Sequence, residues 1–160
     1  HAAGAHVIAV TTSPKKMDDL YAAGAHDVVC YDRDGDFSAG VRAVAPEGVD
    51  VAIDNVGSVA FNAIRKSLAT GGRWILVGQV NGDFVRFNQA QMFHRGISML
   101  SARSTTRRQL VDSLGLVQRG QVKPVITGSL PLEKASEAHE MLESGKVTGR
   151  IVLKPGNSRQ

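Results

Sequence analysis

The segment from Gly48 to Gly78 has the residue pattern of a β-α-β unit. Apolar residues alternate at Val49, Val51 and Ile53, recur at helical spacing at Phe61, Ile64 and Leu68, and run without interruption from Trp74 to Val77. An unbroken apolar strand is typical of a parallel sheet covered on both faces. Gly71 and Gly72 are expected to end the helix, because glycine adopts the left-handed conformation after a helix at least cost.

Polar and glycine residues follow both predicted strands of this unit. Asp54, Asn55 and Gly57 come after the first strand, and Gly78 and Gln79 come after the second. In open parallel sheets, ligands bind outside the carboxyl ends of the strands. The sequence therefore places a candidate binding edge at these residues, although Asp54 and Asn55 are also ordinary turn residues.

The composition is that of a globular domain without a membrane span. The chain has 160 residues, of which 42% are hydrophobic and 21% charged, and its longest apolar runs are far shorter than a bilayer requires. We therefore expect a cytoplasmic protein. Its single cysteine, Cys30, lies in an apolar run and is predicted to be a buried, inert thiol. The net charge of +4 is compatible with an anionic partner, either a nucleic acid or a phosphate-bearing cofactor.

The remaining periodicity predicts an α/β fold with alternating strands and helices. The further predicted strands are His6–Val10, Asp27–Tyr31, Ile97–Ser101, Val122–Ile126 and Arg150–Leu153, and the further predicted helices are 14–23, 35–45, 89–94, 105–119 and 132–144. A short edge segment is predicted at Phe84–Phe87. The last strands and helix form a β-α-β tail that can leave the main sheet.

The first residues do not match the start of such a sheet. His1 to Ala3 have the pattern of a last helical turn before Gly4, and no G-x-G-x-x-G turn occurs in the sequence. That turn normally follows the first strand and holds a pyrophosphate at a helix N-terminus. We expect a chain that begins within a domain, so that its sheet lacks a strand between His6–Val10 and Val49–Ile53.

Four motifs carry a family resemblance over essentially the whole chain. DNVG (54–57), GGRWILVG (71–78), SMLSARSTTR (98–107) and ESGKVTGRIVLKP (143–155) resemble the medium-chain dehydrogenase/reductase superfamily, in particular its quinone-oxidoreductase-like branch of zinc-binding dehydrogenases. The resemblance implies a Rossmann-type, doubly wound parallel sheet at residues 1–120 that lacks its first strand. It also implies that residues 121–160 return to a catalytic domain absent from this C-terminal portion.

The same resemblance implies an oxidoreductase that transfers hydride between NADP(H) and a quinone, an activated alkene or a carbonyl compound. Because the catalytic domain carries the substrate site and the metal of zinc-dependent members, no catalytic or metal-binding residue is assigned in this chain. The chain by itself is expected to have little turnover.

The residues after the strand His6–Val10 favour the phosphorylated cofactor. NAD-preferring domains usually carry an acidic residue there, which would repel a 2′-phosphate. Here the sequence is Thr11, Thr12, Ser13, Pro14, Lys15 and Lys16. Hydroxyl and ammonium groups at a helix N-terminus favour a phosphate, which indicates NADP(H). The alternative is a solvated first helical turn.

The resemblance assigns individual cofactor-binding residues. It places Lys16 on the 2′-phosphate with Ser13 and Tyr31 beside it, and Gly78 and Gln79 near the nicotinamide ribose. The full candidate set is Thr11, Ser13, Lys16, Tyr31, Asn55, Val56, Gly57, Gly78, Gln79, Ser101 and Arg103. The polarity of an edge strand explains Ser101 and Arg103 equally well.

Two other function classes stay open at this point. The strand that ends in Asp54-Asn55 also resembles the middle of the class I methyltransferase fold. That fold needs an acidic residue after its second strand, and Thr11–Lys16 offers none. A basic nucleic-acid-binding module could use Arg103, Arg107 and Arg108, but only 5% of the residues are aromatic, which is poor for base stacking. The expected partners are a small-molecule substrate and a second copy of the chain, paired through the strand Ile97–Ser101, with neither nucleic acid nor membrane.

Overall fold

The computed structural model describes residues 1–33, 35–80 and 82–156. The chain forms two compact units. The first consists of His1 and His6–Thr106, and the second of Ala2–Ala5 with the chain from Arg107 onward. The predicted division at residue 120 into a nucleotide-binding part and a returning segment stays a prediction.

The first unit contains five strands in two parallel groups. The strands are β1 (Ile8–Thr11), β2 (Asp27–Cys30), β3 (Val49–Asp54), β4 (Leu68–Leu76) and β5 (Ser98–Ser101). β1 pairs with β2, and β3, β4 and β5 form a second sheet in that order. Within the described residues, no ladder joins β1 to β3. The parallel α/β architecture is therefore confirmed, and the sheet divides at the predicted position.

Two helices cover one face of both sheets and make the core. The helices of this unit are α1 (Met17–Ala22), α2 (Ser38–Val44), α3 (Phe61–Ser67) and α4 (Ala90–Phe93), with 3₁₀ turns at Pro14–Lys16 and Ser58–Ala60. Phe37 and Val41 of the α2 region join Phe61, Ile64 and Trp74 in one buried cluster. Side chains of β1 and β2 pack on the same cluster as side chains of β3 and β4, so α2 and α3 bridge the break in the sheet.

The opposite face of β3 is solvent-exposed in this structure. Ile53 is 69% exposed and Val51 is 41% exposed, whereas Ala52 and Asp54 face the covered side. The alternating apolar residues Val51 and Ile53 of β3 thus lie on the uncovered face, and the covered face carries Ala52 and the buried Asp54.

The end of α3 differs from the prediction. The helix ends at Ser67, and Leu68 is already extended and fully buried at the start of β4, so Gly71 and Gly72 lie within a strand. The terminal carbonyls of α3 are satisfied by guanidinium groups instead of by a glycine turn. Arg42 donates to the carbonyls of Lys66 and Leu68, and Arg95 donates to those of Arg65 and Leu68. Cations are favourable at this negative end of the helix dipole.

Arg95 shows the electrostatic consequence of that arrangement. Burial lowers the pKa of its guanidinium, and the nearby positive charges of Arg42 and Arg65 lower the pKa further. Arg42 and Arg95 repel each other, and their hydrogen bonds to the carbonyls at the end of α3 keep these two positive charges close together.

Three local predictions were wrong. Cys30 is exposed at the end of β2, because its side chain lies on the uncovered face of a short strand. The apolar spacing of the predicted helix 35–45 also predicts that Phe37, Val41 and Val44 face inward; Phe37 and Val41 are buried, but Val44 is exposed. Residues 84–87 form no strand, and Phe84 is fully exposed.

The second unit contains a parallel strand pair and two helices. Its elements are α5 (Arg107–Gln118), β6 (Ile126–Pro131), a 3₁₀ turn at Leu132–Lys134, α6 (Ala135–Glu143) and β7 (Arg150–Lys154). The predicted β-α-β order is correct, but β6 begins where the predicted strand 122–126 ends. Gly128 pairs with Ile151 of β7, so the paired strand lies after the apolar residues on which the prediction was based.

Candidate functional site

A buried carboxylate shapes the turn after β3, which we call the aspartate turn (Asp54–Gly57). Asp54 is 2% exposed. Its Oδ1 accepts hydrogen bonds from the backbone N–H groups of Val56 at 2.8 Å and Gly57 at 2.9 Å. Its Oδ2 accepts the indole N–H of Trp74 at 3.2 Å. The turn is therefore anchored to a fully buried side chain of the neighbouring strand.

The aspartate turn runs beside the segment that follows β4. The main-chain carbonyl of Asp54 accepts the N–H groups of Val77 at 2.8 Å and Gly78 at 3.2 Å, and the carbonyl of Val56 accepts that of Val80 at 3.0 Å. These bonds continue the parallel pairing of β3 and β4 past the strand ends. They bring the candidate residues Asn55, Val56 and Gly57 next to Gly78 and Gln79.

Gly57 has a conformation that only glycine adopts easily. Its φ is +86°, and a Cβ placed there would lie 2.7 Å from Cγ of Gln79. Gln79 in turn donates from its side-chain amide to the carbonyl of Asp83 at 3.0 Å. Gly57 is thus required by the close packing of Gln79, which fixes the spacing between the two segments.

A cleft of about 510 Å³ opens at this edge of the sheet. Its lining is predominantly apolar and includes Phe61, Leu76 and Met99 beside the polar residues Asp54 and Gln79. A Cβ on Gly78 would have only the carbonyl of Asn55 near it, at 3.6 Å, so the glycine leaves space at the cleft rather than relieving strain.

The two candidates at the end of β5 differ in placement. Ser101 pairs with Leu76, and Ala102 N–H donates to the Leu76 carbonyl at 2.9 Å, which puts Ser101 at the same edge of the sheet as the cleft. Arg103 is exposed beyond the strand. Within residues 1–33, 35–80 and 82–156, it has no hydrogen bond or ion pair that would orient it toward the cleft.

The turn after β1, which we call the lysine turn (Thr11–Lys16), is held by hydrogen bonds among its own residues and by one bond from the Tyr31 N–H to the Thr11 carbonyl. The Thr11 hydroxyl accepts the N–H of Ser13 at 3.1 Å, and the Ser13 carbonyl accepts the N–H of Lys16 at 3.1 Å. None of the residues in the 3₁₀ turn Pro14–Lys16 is buried. In the described part of the chain, neither Lys15 nor Lys16 forms an ion pair, although Asp18 and Asp19 lie in the first turn of α1.

Tyr31 lies directly beside the lysine turn. Its N–H donates to the carbonyl of Thr11 at 3.1 Å, and its ring packs edge-on against Phe37 with centroids 5.0 Å apart. Burial raises the pKa of the phenol, while the nearby Arg33 acts in the opposite direction. Arg33 therefore adds a cation to this edge.

The structure brings the candidate residues together in two groups. Thr11, Ser13, Lys16 and Tyr31 form one group at the ends of β1 and β2, and Asn55, Val56, Gly57, Gly78 and Gln79 form the other, with Ser101 at the same edge. Arg33 was missed by sequence reasoning although it lies two residues after Tyr31. The anchoring of Asp54 by Trp74 was also missed, because nothing in the sequence links residues 20 positions apart.

The groups at this edge of the sheet are of the chemical types that bind a nicotinamide dinucleotide. The ammonium groups and hydroxyls of the lysine turn suit a phosphate, and the apolar cleft suits a flat ring. Parallel strands with helices and a binding edge at their carboxyl ends place the first unit among Rossmann-type α/β domains.

The chain belongs to the zinc-binding dehydrogenase family, within the medium-chain dehydrogenases and reductases. The family model described as zinc-binding dehydrogenase matches residues 23–153. This confirms the family predicted from the sequence motifs. Within the described residues, no group of three or more His, Cys, Asp or Glu side chains is arranged to hold a metal ion.

Characterised relatives of the family include several oxidoreductases. The chain is 30% identical over 155 residues to an acryloyl-coenzyme A reductase of Sulfurisphaera tokodaii, covering 96% of this chain and 45% of the relative. It is 31% identical over 136 residues to a quinone oxidoreductase of Rattus norvegicus, covering 81% of this chain and 41% of the relative. The chain thus spans less than half the length of these relatives.

Solved structures share the fold. The crystal structure of AibC is 39% identical with a TM-score of 0.87, covering 96% of this chain and 43% of that one. A mycobacterial protein complexed with NADPH is 26% identical with a TM-score of 0.80, covering 96% of this chain and 50% of that one. These matches confirm the Rossmann-type fold.

None of the helices in the described residues has the length and apolar character needed to cross a membrane.

Proposed function

We propose that the native protein transfers hydride between NADP(H) and a quinone, an activated alkene or a carbonyl or alcohol substrate. The family relationship supports a nicotinamide-dependent oxidoreductase. The preference for the phosphorylated cofactor rests on one observation, which is the cationic lysine turn without an acidic residue at the end of β1.

The lysine turn and its neighbours bind the adenosine end in this proposal. Lys16 and Arg33 provide positive charge, and the hydroxyls of Thr11 and Ser13 provide donors, while Tyr31 borders the same edge. A 2′-phosphate gains charge-assisted hydrogen bonds there, whereas the 2′-hydroxyl of NADH does not. No carboxylate at the end of β1 is available to favour the hydroxyl.

The aspartate turn and the cleft hold the other end. Asn55, Val56, Gly57, Gly78 and Gln79 form a closely spaced wall, and Ser101 lies at its edge. When bound, the nicotinamide supplies the hydride. The residues of this chain orient the ring, and the apolar lining excludes water from the face on which the substrate is placed. Arg103 is a more distant contact of the nicotinamide in this proposal.

Cofactor titration tests this proposal. We expect the native protein to bind NADPH at least about tenfold more tightly than NADH, which is about 1.4 kcal/mol. Lys16→Ala should remove most of that difference and leave NADH binding unchanged. Lys15→Ala, which removes an equal charge from the same turn, is the matched control and should have a smaller effect. Equal affinities of the wild type for both cofactors would refute the NADP(H) assignment.

We also propose that β5 pairs with its copy in a homodimer. β5 lies at the edge of its sheet, and Met99 and Leu100 are exposed. Because Ala102 N–H donates to β4, alternation turns the N–H groups of Met99 and Ser101 toward the free edge. An exposed apolar edge strand invites pairing with a second chain.

Proline substitution tests the dimer without breaking the β4–β5 ladder. Met99→Pro removes a donor from the free edge and should shift the native protein toward monomer in light scattering. Lys123→Pro, in an exposed segment outside any strand, is the control. A wild type that is monomeric at tens of micromolar would contradict the proposal.

A further inference from the structure

Asp54 is the one charged side chain that is buried among the described residues. Burying a carboxylate is costly unless its oxygens are fully hydrogen-bonded. Its three partners are neutral donors, namely the N–H groups of Val56 and Gly57 and the indole of Trp74. A neutral side chain of similar size would avoid the desolvation cost, so the charge itself requires an explanation.

The bonds of Asp54 connect the core to both segments of the candidate site. One carboxylate oxygen holds the aspartate turn, and the other holds Trp74, which has no exposed surface. The main-chain carbonyl of the same residue holds Val77 and Gly78. Two of the three backbone bonds that the described residues make between these segments thus end on Asp54, and the third ends on Val56, whose own N–H is held by the Asp54 carboxylate.

The strength of these bonds explains the charge. A hydrogen bond to an ionised acceptor is roughly twice as strong as one between neutral groups. Two such bonds converge on Oδ1 and restrain the backbone of Val56 and Gly57. Restraint of about half an ångström is what a site needs to place a reacting group productively.

We propose that Asp54 is a positioning residue that fixes the nicotinamide half of the cofactor by holding the aspartate turn against Gly78 and Gln79. This inference rests on the proposed function. At 2% exposure the carboxylate acts through the backbone that it holds and not by contact with the ring. The adenosine half, which the lysine turn binds, is independent of it.

Comparison of two ligands distinguishes a positioning role of Asp54 from a general loss of protein stability. Dissociation constants are measured for NADPH and for 2′,5′-ADP, which carries only the adenosine half and its phosphate. Asp54→Asn keeps an acceptor for the turn but loses the charge and presents an amide to the Trp74 indole. We expect it to weaken NADPH binding about tenfold and to leave 2′,5′-ADP binding unchanged. Equal weakening of both ligands, or no change in either, would overturn the proposal.

Asp50→Asn is the matched control, because Asp50 is exposed on the same strand. It should bind both ligands as the wild type does, and a tenfold loss of NADPH affinity in this variant would overturn the assignment to Asp54. If Asp54→Asn does not fold, Trp74→Phe serves instead, since it frees only Oδ2. We expect a smaller loss, about threefold, for NADPH alone, accompanied by a shift in the fluorescence of the bound reduced nicotinamide.

The outcomes separate this inference from the proposed function. A native protein that binds neither ligand refutes the nucleotide site and the positioning role together. A native protein that binds both ligands, with Trp74→Phe and Asp54→Asn both indistinguishable from wild type, refutes the positioning role alone.

Discussion

The lysine turn and the aspartate turn have the same local architecture but different supports. Each follows a parallel strand, passes through a 3₁₀ turn and enters a helix. In the lysine turn the side-chain acceptor is one threonine hydroxyl and the 3₁₀ turn has no buried residue, whereas the aspartate turn is held by a buried carboxylate that reaches the core. A turn that attracts a charged group from solvent must remain hydrated, and a turn that sets a distance must be rigid.

Removing the buried anchor should have the largest effect. Asp54→Ala leaves three donors without an acceptor, those of Val56, Gly57 and Trp74. We expect it to lower the free energy of unfolding by about 3–5 kcal/mol. Urea denaturation followed by circular dichroism measures this, and the fluorescence of Trp74, the single tryptophan of the sequence, reports the local change. A loss below 1 kcal/mol would mean that the turn is held by other contacts.

Gly57→Ala tests the backbone of the same turn. A non-glycine residue at a φ of +86° is strained, and the added Cβ meets Gln79. We expect a loss of about 1–3 kcal/mol in the free energy of unfolding. In the double variant Gly57→Ala/Gln79→Ala the clash with Gln79 is absent, so the part of the lost free energy of unfolding that comes from the clash should be recovered. The part that comes from the strained backbone angle should remain. Full recovery in the double variant would show that the backbone angle costs nothing.

The corresponding change in the lysine turn should be milder. Thr11→Val keeps the shape of the side chain and removes the acceptor of the Ser13 N–H, which water can replace. The expected loss is about 0.5–1.5 kcal/mol in the same denaturation experiment. A loss as large as that of Asp54→Ala would remove the contrast between the two turns.

Asp36 provides an exposed counterpart of Asp54. Both carboxylates accept the N–H of the residue two positions later, but Asp36 lies on the surface and also pairs with Lys66 at 2.7 Å. The hydrogen bonds from Lys66 and Ser38 lower the pKa of Asp36 to about 2. Because the folded-state pKa lies below the unfolded one, the stabilisation is present above about pH 4 and is lost as the pH falls toward 2.

The size of that effect should be the smallest of the series. Solvent screens the exposed Asp36–Lys66 pair, so we expect Asp36→Asn to cost at most about 1 kcal/mol at pH 7 and clearly less at pH 2, where the carboxyl is partly protonated. Denaturation at both pH values checks this. A cost that is the same at both would show that the charge of Asp36 does not contribute.

The sequence predicts the elements of this site better than the contacts that hold them. Apolar spacing correctly identifies β3 and the buried Phe61 and Ile64 of α3, because local periodicity reflects which face is covered. It places the end of α3 at Gly71 and Gly72, since a glycine pair is the usual local signal. The true end is set by Arg42 and Arg95, which are distant in sequence and carry no local pattern.

Exposure was predicted less well for a related reason. The run containing Cys30 is apolar enough for a buried strand, but a strand of four residues in a two-stranded sheet has one uncovered face. Burial depends on which elements pack on that face, and this is a property of the assembled unit. The contact of Asp54 with Trp74 is likewise fixed by the register of β3 and β4.

The guanidinium groups at the end of α3 have a consequence for local opening of the structure. The carbonyl of Leu68 accepts bonds from both Arg42 of α2 and Arg95 beyond α4, so these helices share an acceptor at the junction of α3 and β4. Neither helix can detach without exposing that junction. The amide hydrogens of α2, α3 and the first half of β4 should therefore exchange with solvent deuterium as one cooperative group, more slowly than those of α1.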